Sequence, residues 1–414
     1  MMKNENQNPA LVLGEIGLVH SLGMAGVPVY VGSNERNRPV MYSRYAQKKY
    51  YFSDYSSEKF VDELENIGRS HDRKITIFSD NDDALLTISN HRDRLAKSFY
   101  FIFPEADLVE KVLDKQQFGR LAEENNLPVP VTFGVSSSEQ MQETIRQLRF
   151  PVILKPMFRS DWYHKDFSRI VGLYKKAYKC DNKNEVFTLY NKISQINPRL
   201  VVQEFVRGDD DMHYELNMYV SEKSEVKGYF IGRKHRVCPI GAGMGSYIET
   251  VEDKEVLDKS LKMVETLRLK GLLDFQYKRD NITGDAKLLE IHFRNTVWGN
   301  LGAIAGLNLY KLYHNELTGN VEPYSQTYRL GVKYFALVRD IPAFRQYHAA
   351  GQLTFREWLR TYRGDYVIEE CRIKDIPALF ANIWLMLKSW WRNKTPKETI
   401  PAKITAKSKV KGAV

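Results

Sequence analysis

The chain has 414 residues, 43% of them hydrophobic and 27% charged, which suggests two to three domains and a sizeable core. Three scattered cysteines, Cys180, Cys238 and Cys371, argue against a disulfide framework and a zinc site and suit a reducing, cytoplasmic compartment. Of the net charge of +10, residues 392–414 carry +6, so the body is nearly balanced and nucleic-acid binding is not expected of it. The opening MMKNENQNPA lacks the basic-then-apolar layout of a signal peptide, and no apolar run is long enough to predict a transmembrane helix.

Residues 10–108 alternate strand and helix signals. Leu11–Leu13, Val27–Val31, Lys48–Phe52, Ile75–Phe78 and Tyr100–Phe103 read as strands. Leu18–Ala25, Phe60–Ile67 and Ala84–Leu95 read as the helices between them. This order predicts a parallel sheet with right-handed crossovers, whose ligands sit at the carboxyl ends of the strands. Gly14, Gly17, Asn34 and Asp80 fall at such ends. The spacing Gly14-Glu15-Ile16-Gly17 is G-x-x-G rather than the dinucleotide G-x-G-x-x-G, although Glu35 stands near the expected acid. An NAD(P)-dependent oxidoreductase is therefore a minor alternative, beside a plain strand-to-helix turn.

Residues 109–126 read as one helix, opened by the Asp114-Lys115 pair, and Glu139–Leu148 as the next. Pro151 then leads an apolar strand that ends at Lys155-Pro156, a position suited to a phosphate contact. The loop after Met157 carries Arg159, His164 and Lys165 but lacks the glycines of a Walker-type cradle, and Ile170–Ala177 reads as a strand. Leu200–Val206 is another strand, ended by an Asp-rich turn through Asp211. Tyr214–Val220 and Val226–Ile231 suggest an antiparallel pair. Arg233, Lys234 and Arg236 follow beside three glycines, as an anion site, a mobile lid or an ordinary loop.

Residues 271–294 alternate strictly. Leu273, Phe275 and Tyr277 interleave with Asp274, Gln276 and Lys278; Leu289, Ile291 and Phe293 interleave with Glu290, His292 and Arg294. A turn over Asn281–Asp285 makes this a hairpin, and centring it near Ile282 sets Asp274 opposite Glu290, with Cβ atoms about 5 Å apart. Two carboxylates that close call for a cation, and a hard divalent ion that keeps waters and adds phosphate oxygens fits them. A solvated polar face is the alternative. A helical segment, Trp298–Leu307, would roof that face.

In this order, Asp114-Lys115, PVILKP, KKAY, VVQEFVRGDD, GRKHR, LDFQYKRD and LLEIHFR resemble the ATP-grasp superfamily of ligases, nearest the predicted carboxylate–amine ligase branch with D-aspartate ligase-like enzymes. LVLGEIGLVHSLGMAGVPVYVGS, Ser43-Arg44-Tyr45 and DIPAFRQYHAAGQLTFREWL fit that branch too. The resemblance implies an ATP-grasp fold, α/β and α+β, with an N-terminal parallel α/β domain over 1–108. The ATP-grasp lobes would cover 109–322, an extension 323–375, and an apolar helix with a basic tail 376–414. It implies ATP-dependent activation of a carboxylate as an acyl phosphate and its joining to an amine, with ATP and Mg²⁺ or Mn²⁺ as cofactors. Lys115 and Lys155 correspond to phosphate-contacting lysines, Glu204 and Val206 to the adenine hinge, and Asp211 to the ribose acid. Asp274 and Glu290 correspond to metal carboxylates, with His292 beside them. Arg294 corresponds to the arginine at the reacting centre, and Lys234 and Arg236 to cations near the transferred phosphate. Members usually carry Asn where this chain has His292 and Glu where it has Asp274, so a catalytically weakened nucleotide-binding module is a second alternative. A homodimer is left open.

Ile376–Trp391 is apolar, helical after Pro377, and followed by the basic tail. Sixteen helical residues span about 24 Å, short of a bilayer core. The segment therefore reads either as a helix packed on the body or as an interfacial anchor at the inner face of a membrane.

Overall fold

A computed structural model describes residues 7–394 apart from 158–161, 163–166, 168–170, 172–176, 242, 295, 321–322, 324–325 and 371–374. The predicted elements at 159, 164, 165 and 172–176 lie outside the described residues.

The first sheet is fully parallel. Its strands are β1 (Ala10–Leu13), β2 (Val29–Ser33), β3 (Ala46–Tyr51), β4 (Ile75–Ser79) and β5 (Phe99–Tyr100), in the order β3-β2-β1-β4-β5. β1 and β4 are buried on both faces, as continuous apolar runs in a helix-covered parallel sheet should be. The helices Ile16–Met24, Glu58–Arg69 and Asp82–Asn90 follow β1, β3 and β4. The last two start on side-chain caps, Ser57 accepting from Phe60 N and Asn81 from Ala84 N.

One helix expected over 109–126 is two, Ala106–Leu113 and Lys115–Glu124. Asp114 breaks the run because its carboxylate accepts from the amides of Gln116 and Gln117 and caps the second helix, a bond typically worth about 1 kcal/mol.

The second sheet is antiparallel and small: β6 (Thr132–Val135), β7 (Val152–Pro156), β8 (Tyr178–Cys180) and β9 (Leu200–Glu204), ordered β6-β9-β7-β8. It has a separate core built around Met141, Trp162, Tyr190 and Ile193.

The third sheet has seven strands in the order β14-β13-β10-β11-β12-β15-β16. They are β10 (His213–Val220), β11 (Val226–Cys238), β12 (Met244–Val251), β13 (Gly271–Arg279), β14 (Ala286–His292), β15 (Lys333–Phe335) and β16 (Tyr366–Ile368). β11 runs on to Cys238, so Arg233, Lys234 and Arg236 are strand residues laddered to β12 and not a loop. The roofing helix is short, Asn300–Ala305, with Leu309–Leu317 following it.

One core unites the first and third sheets: Val12, Val19 and Leu22 share it with Tyr219, Phe230, Trp298 and Tyr313. The Tyr313 hydroxyl accepts from Ile102 N at 2.7 Å across that contact. At the same crossing Gly271 has φ +93°, and a Cβ there would meet Ile102 O at 2.3 Å, so the start of β13 tolerates no side chain.

The C-terminal helix, Ile376–Lys394, packs on the short turn Pro39–Tyr42. Its root is fixed by Asp375, 1% exposed, which accepts from Ser43 Oγ and from Arg44 N at 2.8 Å and pairs with His20 Nε2 at 2.9 Å.

Candidate active site

The hairpin of β13 and β14 carries the predicted carboxylates, but in a different register. Asp274 pairs with His292, and Gln276 with Glu290. Arg279, Lys278 and Tyr277 oppose Ala286, Lys287 and Leu288 in even step, and the register then shifts between Gln276 and Tyr277. The surplus residue is Leu289, a β-bulge that the alternation of apolar side chains cannot reveal. Ala286, Leu288, Ile291 and Phe293 are buried, whereas Leu289 lines a cleft with Glu290.

That cleft lies between the second sheet and β14. Lys115, Phe118, Gly119, Val129, Thr132, Lys155, Val201 and Gln203 form its other walls. Lys155 projects from β7, where its ammonium donates to Gln203 Oε1 at 3.0 Å, and Gln203 donates in turn to Thr132 Oγ1 at 2.8 Å. Lys115, in the first turn after Asp114, donates to Met157 O at 3.3 Å. Burial holds the Lys155 pKa below its ordinary value; Glu290 opposes this and Lys115 adds to it. Burial alone would raise the pKa of Glu290, yet the His292 hydrogen bond and the charges of His292, Lys155 and Lys115 hold it well below the usual range. His292 Nε2 lies 3.3 Å from Glu290 Oε2. The cleft therefore brings together two lysines and one ionised carboxylate from three separate elements.

Asp274 stands deeper. It is 1% exposed, accepts from Gln276 Nε2 at 3.0 Å through Oδ2, and its Oδ1 has no hydrogen-bond partner among the described residues. Burial, and next the neighbouring Glu215 carboxylate, push its pKa up to about 7. Glu215 lies on β10, pairs with Lys234 and accepts from Trp298 Nε1 at 2.5 Å. An orphaned carboxylate oxygen on a face shared with Glu290 fits a divalent cation completed by water and phosphate oxygens, since Mg²⁺ commonly takes only one or two protein carboxylates. No group of three or more His, Cys, Asp or Glu side chains among the described residues is disposed to hold an ion unaided.

The remaining predicted cations divide. Arg294 reaches the N-terminal sheet, where it pairs with Asp82, and that partner raises its pKa against the effect of burial. Arg236, expected near the transferred phosphate, is instead buried at 4% exposure and held bidentately by Asp340, with both contacts at 2.9 Å. Asp340 also accepts from Ser246, Trp358 and Tyr362, and the Arg236 guanidinium lies 4.7 Å from the Tyr247 ring centre. Arg236 thus fastens β11 to the helix Leu337–Ala349 and is not presented to the cleft.

Of the hinge and ribose candidates, Glu204 ends β9, Val206 is buried just beyond it, and Asp211 accepts from Arg233 at 2.8 Å. Asp210 is the buried member of that turn, accepting from Tyr347 and from Gly241 N.

At the carboxyl ends of β1 and β4 the G-x-x-G turn meets Asp80. A Cβ on Gly14 would fall 2.8 Å from the Asp80 carboxyl carbon, and Asp80 Oδ2 accepts from Glu15 N at 2.6 Å. Glu15 pairs with Arg38. Burial raises the pKa of Glu15 to about 7, with Arg38 working against the shift. Sequence reasoning pointed to Gly14, Gly17 and Asp80 but missed Arg38, Asp82 and Glu215, whose partners are distant in the chain.

No protein-family model matches the chain. It is 28% identical over 264 residues to the D-aspartate ligase of Enterococcus faecium (strain Aus0004), a match covering 62% of this chain and 61% of that enzyme. The chain thus spans less than two thirds of the length of the curated relatives it matches. Among solved structures it resembles the Staphylococcus aureus N5-carboxyaminoimidazole synthetase complexed with ADP (TM-score 0.59, 14% identity, 77% of this chain and 79% of that one). It also resembles the L-amino acid ligase of Bacillus licheniformis (TM-score 0.57, 14% identity, 75% of this chain and 74% of that one). The chain has the ATP-grasp fold with a parallel α/β sheet at its N-terminal end, and in sequence it is similar to a D-aspartate ligase.

Proposed function

We propose that the chain is an ADP-forming carboxylate–amine ligase. The observation that carries this reading is the cleft in which Lys115 and Lys155 face Glu290, beside the orphaned Oδ1 of Asp274. A carboxylate resists direct attack by an amine because oxide would have to leave. Attack of the substrate carboxylate oxygen on the γ-phosphorus of ATP breaks the bond to ADP and gives an acyl phosphate. The amine nitrogen then attacks the acyl carbon, loses a proton and expels inorganic phosphate.

The work of the protein in such transfers is positioning and charge neutralisation. Lys115 and Lys155 would hold phosphate oxygens, and the Glu204–Val206 backbone would hold the base. Asp274 and Glu290, with His292 adjacent, would hold Mg²⁺, which would supply positive charge against the phosphates. Arg294 would stabilise the oxyanion of the tetrahedral intermediate, and Lys234, paired with Glu215, would stand behind it.

The test is ADP release on a panel of carboxylic acids and amines, for the wild type and for Glu290→Ala. The wild type should release ADP with at least one acid–amine pair. Glu290→Ala should keep its fold by circular dichroism and lose that activity, because its side chain is 37% exposed and lies outside the buried core. Full Mg²⁺-dependent activity in the variant would refute the site. His292 at a position usually occupied by Asn favours a second reading, a nucleotide-binding module without turnover; ATP binding with no ADP release from any pair would support it. Peripheral membrane contact through the C-terminal helix is a separate proposal, independent of this chemistry.

A further inference from the structure

The C-terminal helix is built the wrong way round for a surface helix. Over its described side chains the exposed positions are Ile376, Pro377, Phe380, Ile383 and Trp384, all apolar. Four of these are large side chains exposed at 54% (Ile376), 66% (Phe380), 42% (Ile383) and 54% (Trp384). Positions i, i+4, i+7 and i+8 form one stripe along a helix. The inward face is the smaller and more polar one: Ala378 is 2% exposed, and Asn382 Nδ2 donates to Glu370 O. A soluble helix reverses this pattern.

The stripe is also held firmly. Asp375 ties its first turn to His20, Ser43 and the Arg44 amide. Glu370, which receives Asn382, caps the helix Leu337–Ala349 through Leu337 N at 2.9 Å and Val338 N at 3.1 Å. No described helix is long and apolar enough to cross a bilayer.

Charge identifies the occupant. The sequence from Arg392 onward holds seven basic residues against Glu398 alone, directly after the apolar stripe. An uncharged face followed at once by a polybasic segment matches a surface with an apolar interior and anionic headgroups. A second copy of this chain would bring the same +6 to the contact and be repelled by it.

We propose that the stripe Ile376–Phe380–Ile383–Trp384 docks in the interface of an anionic lipid bilayer, with the basic segment on its headgroups. The turn Pro39–Tyr42, on which the helix packs, begins one residue after Arg38, the partner of Glu15 at the strand ends. Docking therefore holds the N-terminal end of the candidate site close to the membrane surface.

The experiment sediments the full chain with vesicles of phosphatidylcholine alone, or of phosphatidylcholine with about one third phosphatidylglycerol. The wild type should pellet with the anionic vesicles at low salt and be largely released at about 0.5 M salt. F380E/I383E, whose substituted positions are exposed, should keep the wild-type circular dichroism and partition about tenfold or more weakly. K403Q/K407Q/K409Q/K411Q should lose the preference for anionic over neutral vesicles. Three results would each overturn the proposal: no pelleting with either vesicle, pelleting untouched by F380E/I383E, or a dimer on sizing columns that F380E/I383E converts to monomer.

Discussion

Replacing Lys155 by methionine isolates the phosphate contact. Methionine keeps most of the unbranched stem that fills the space at the end of β7 and removes the ammonium. In the wild type that ammonium is half-buried, donates to Gln203 Oε1 at 3.0 Å, and feels Glu290 as an opposing charge. Its depressed pKa records an under-compensated cation, which a phosphate oxygen would compensate. A hydrogen bond to a charged group contributes about 1.5–3 kcal/mol, which converts to a loss of about 10- to 150-fold in affinity. Titration calorimetry with MgADP reads this directly, since ADP avoids turnover. An unchanged dissociation constant with normal folding would place the phosphates elsewhere and refute the reasoning.

Two further outcomes concern the frame around the cleft. Asp340→Ala leaves Arg236 buried without its carboxylate and strips three other donors of their acceptor, which should cost about 3–5 kcal/mol in guanidinium unfolding while the folded fraction keeps its specific activity. Loss of activity without loss of stability would return Arg236 to the catalytic set. His213 has a folded-state pKa lowered to about 3, first by burial and then by Lys234 and Lys278. It stays neutral when folded and protonates when unfolded, so its contribution is complete above about pH 6.5 and falls as the pH drops toward 3, by about 1.4 kcal/mol per pH unit. Chemical denaturation at pH 5 and pH 7 should show that slope reduced in His213→Gln; an equal slope would mean that His213 is already solvated.

The alternation of strands and helices up to residue 108 was readable because each parallel strand is a short apolar run between turn residues. The hairpin was readable for the same reason, and its polar face does carry Asp274, Glu290 and His292. Its register was not, since one inserted residue at Leu289 preserves local composition while shifting the partner of Asp274. The resemblance set Arg236 near the transferred phosphate, and glycines beside cations suggested a loop there. Only the pairing of β11 with β12, and an aspartate 104 residues away, shows it to be a fastener. Lys234 looked alike in sequence and is distinguished by Glu215, which it meets across β10. Arg38 and Glu15 lie 23 residues apart and meet because β1 and β2 are neighbours, a fact of topology that no local pattern records.

The seven-stranded sheet carries one more implication. β15 and β16 come from beyond residue 322, yet β15 is laddered to β12 and β16 to β15. Seen from the hydrogen bonds, the extension is a selvedge woven into the same cloth as the hairpin and not a patch sewn on later. Excising it would leave the amides and carbonyls of Tyr247–Glu249 as a bare ladder, the kind of edge that recruits a stray strand. It would also strand Arg236 without Asp340. The unit that folds is therefore larger than the unit that binds nucleotide in the proposed reading, and trimming the chain to its ligand site would produce a sticky fragment before it produced a minimal enzyme.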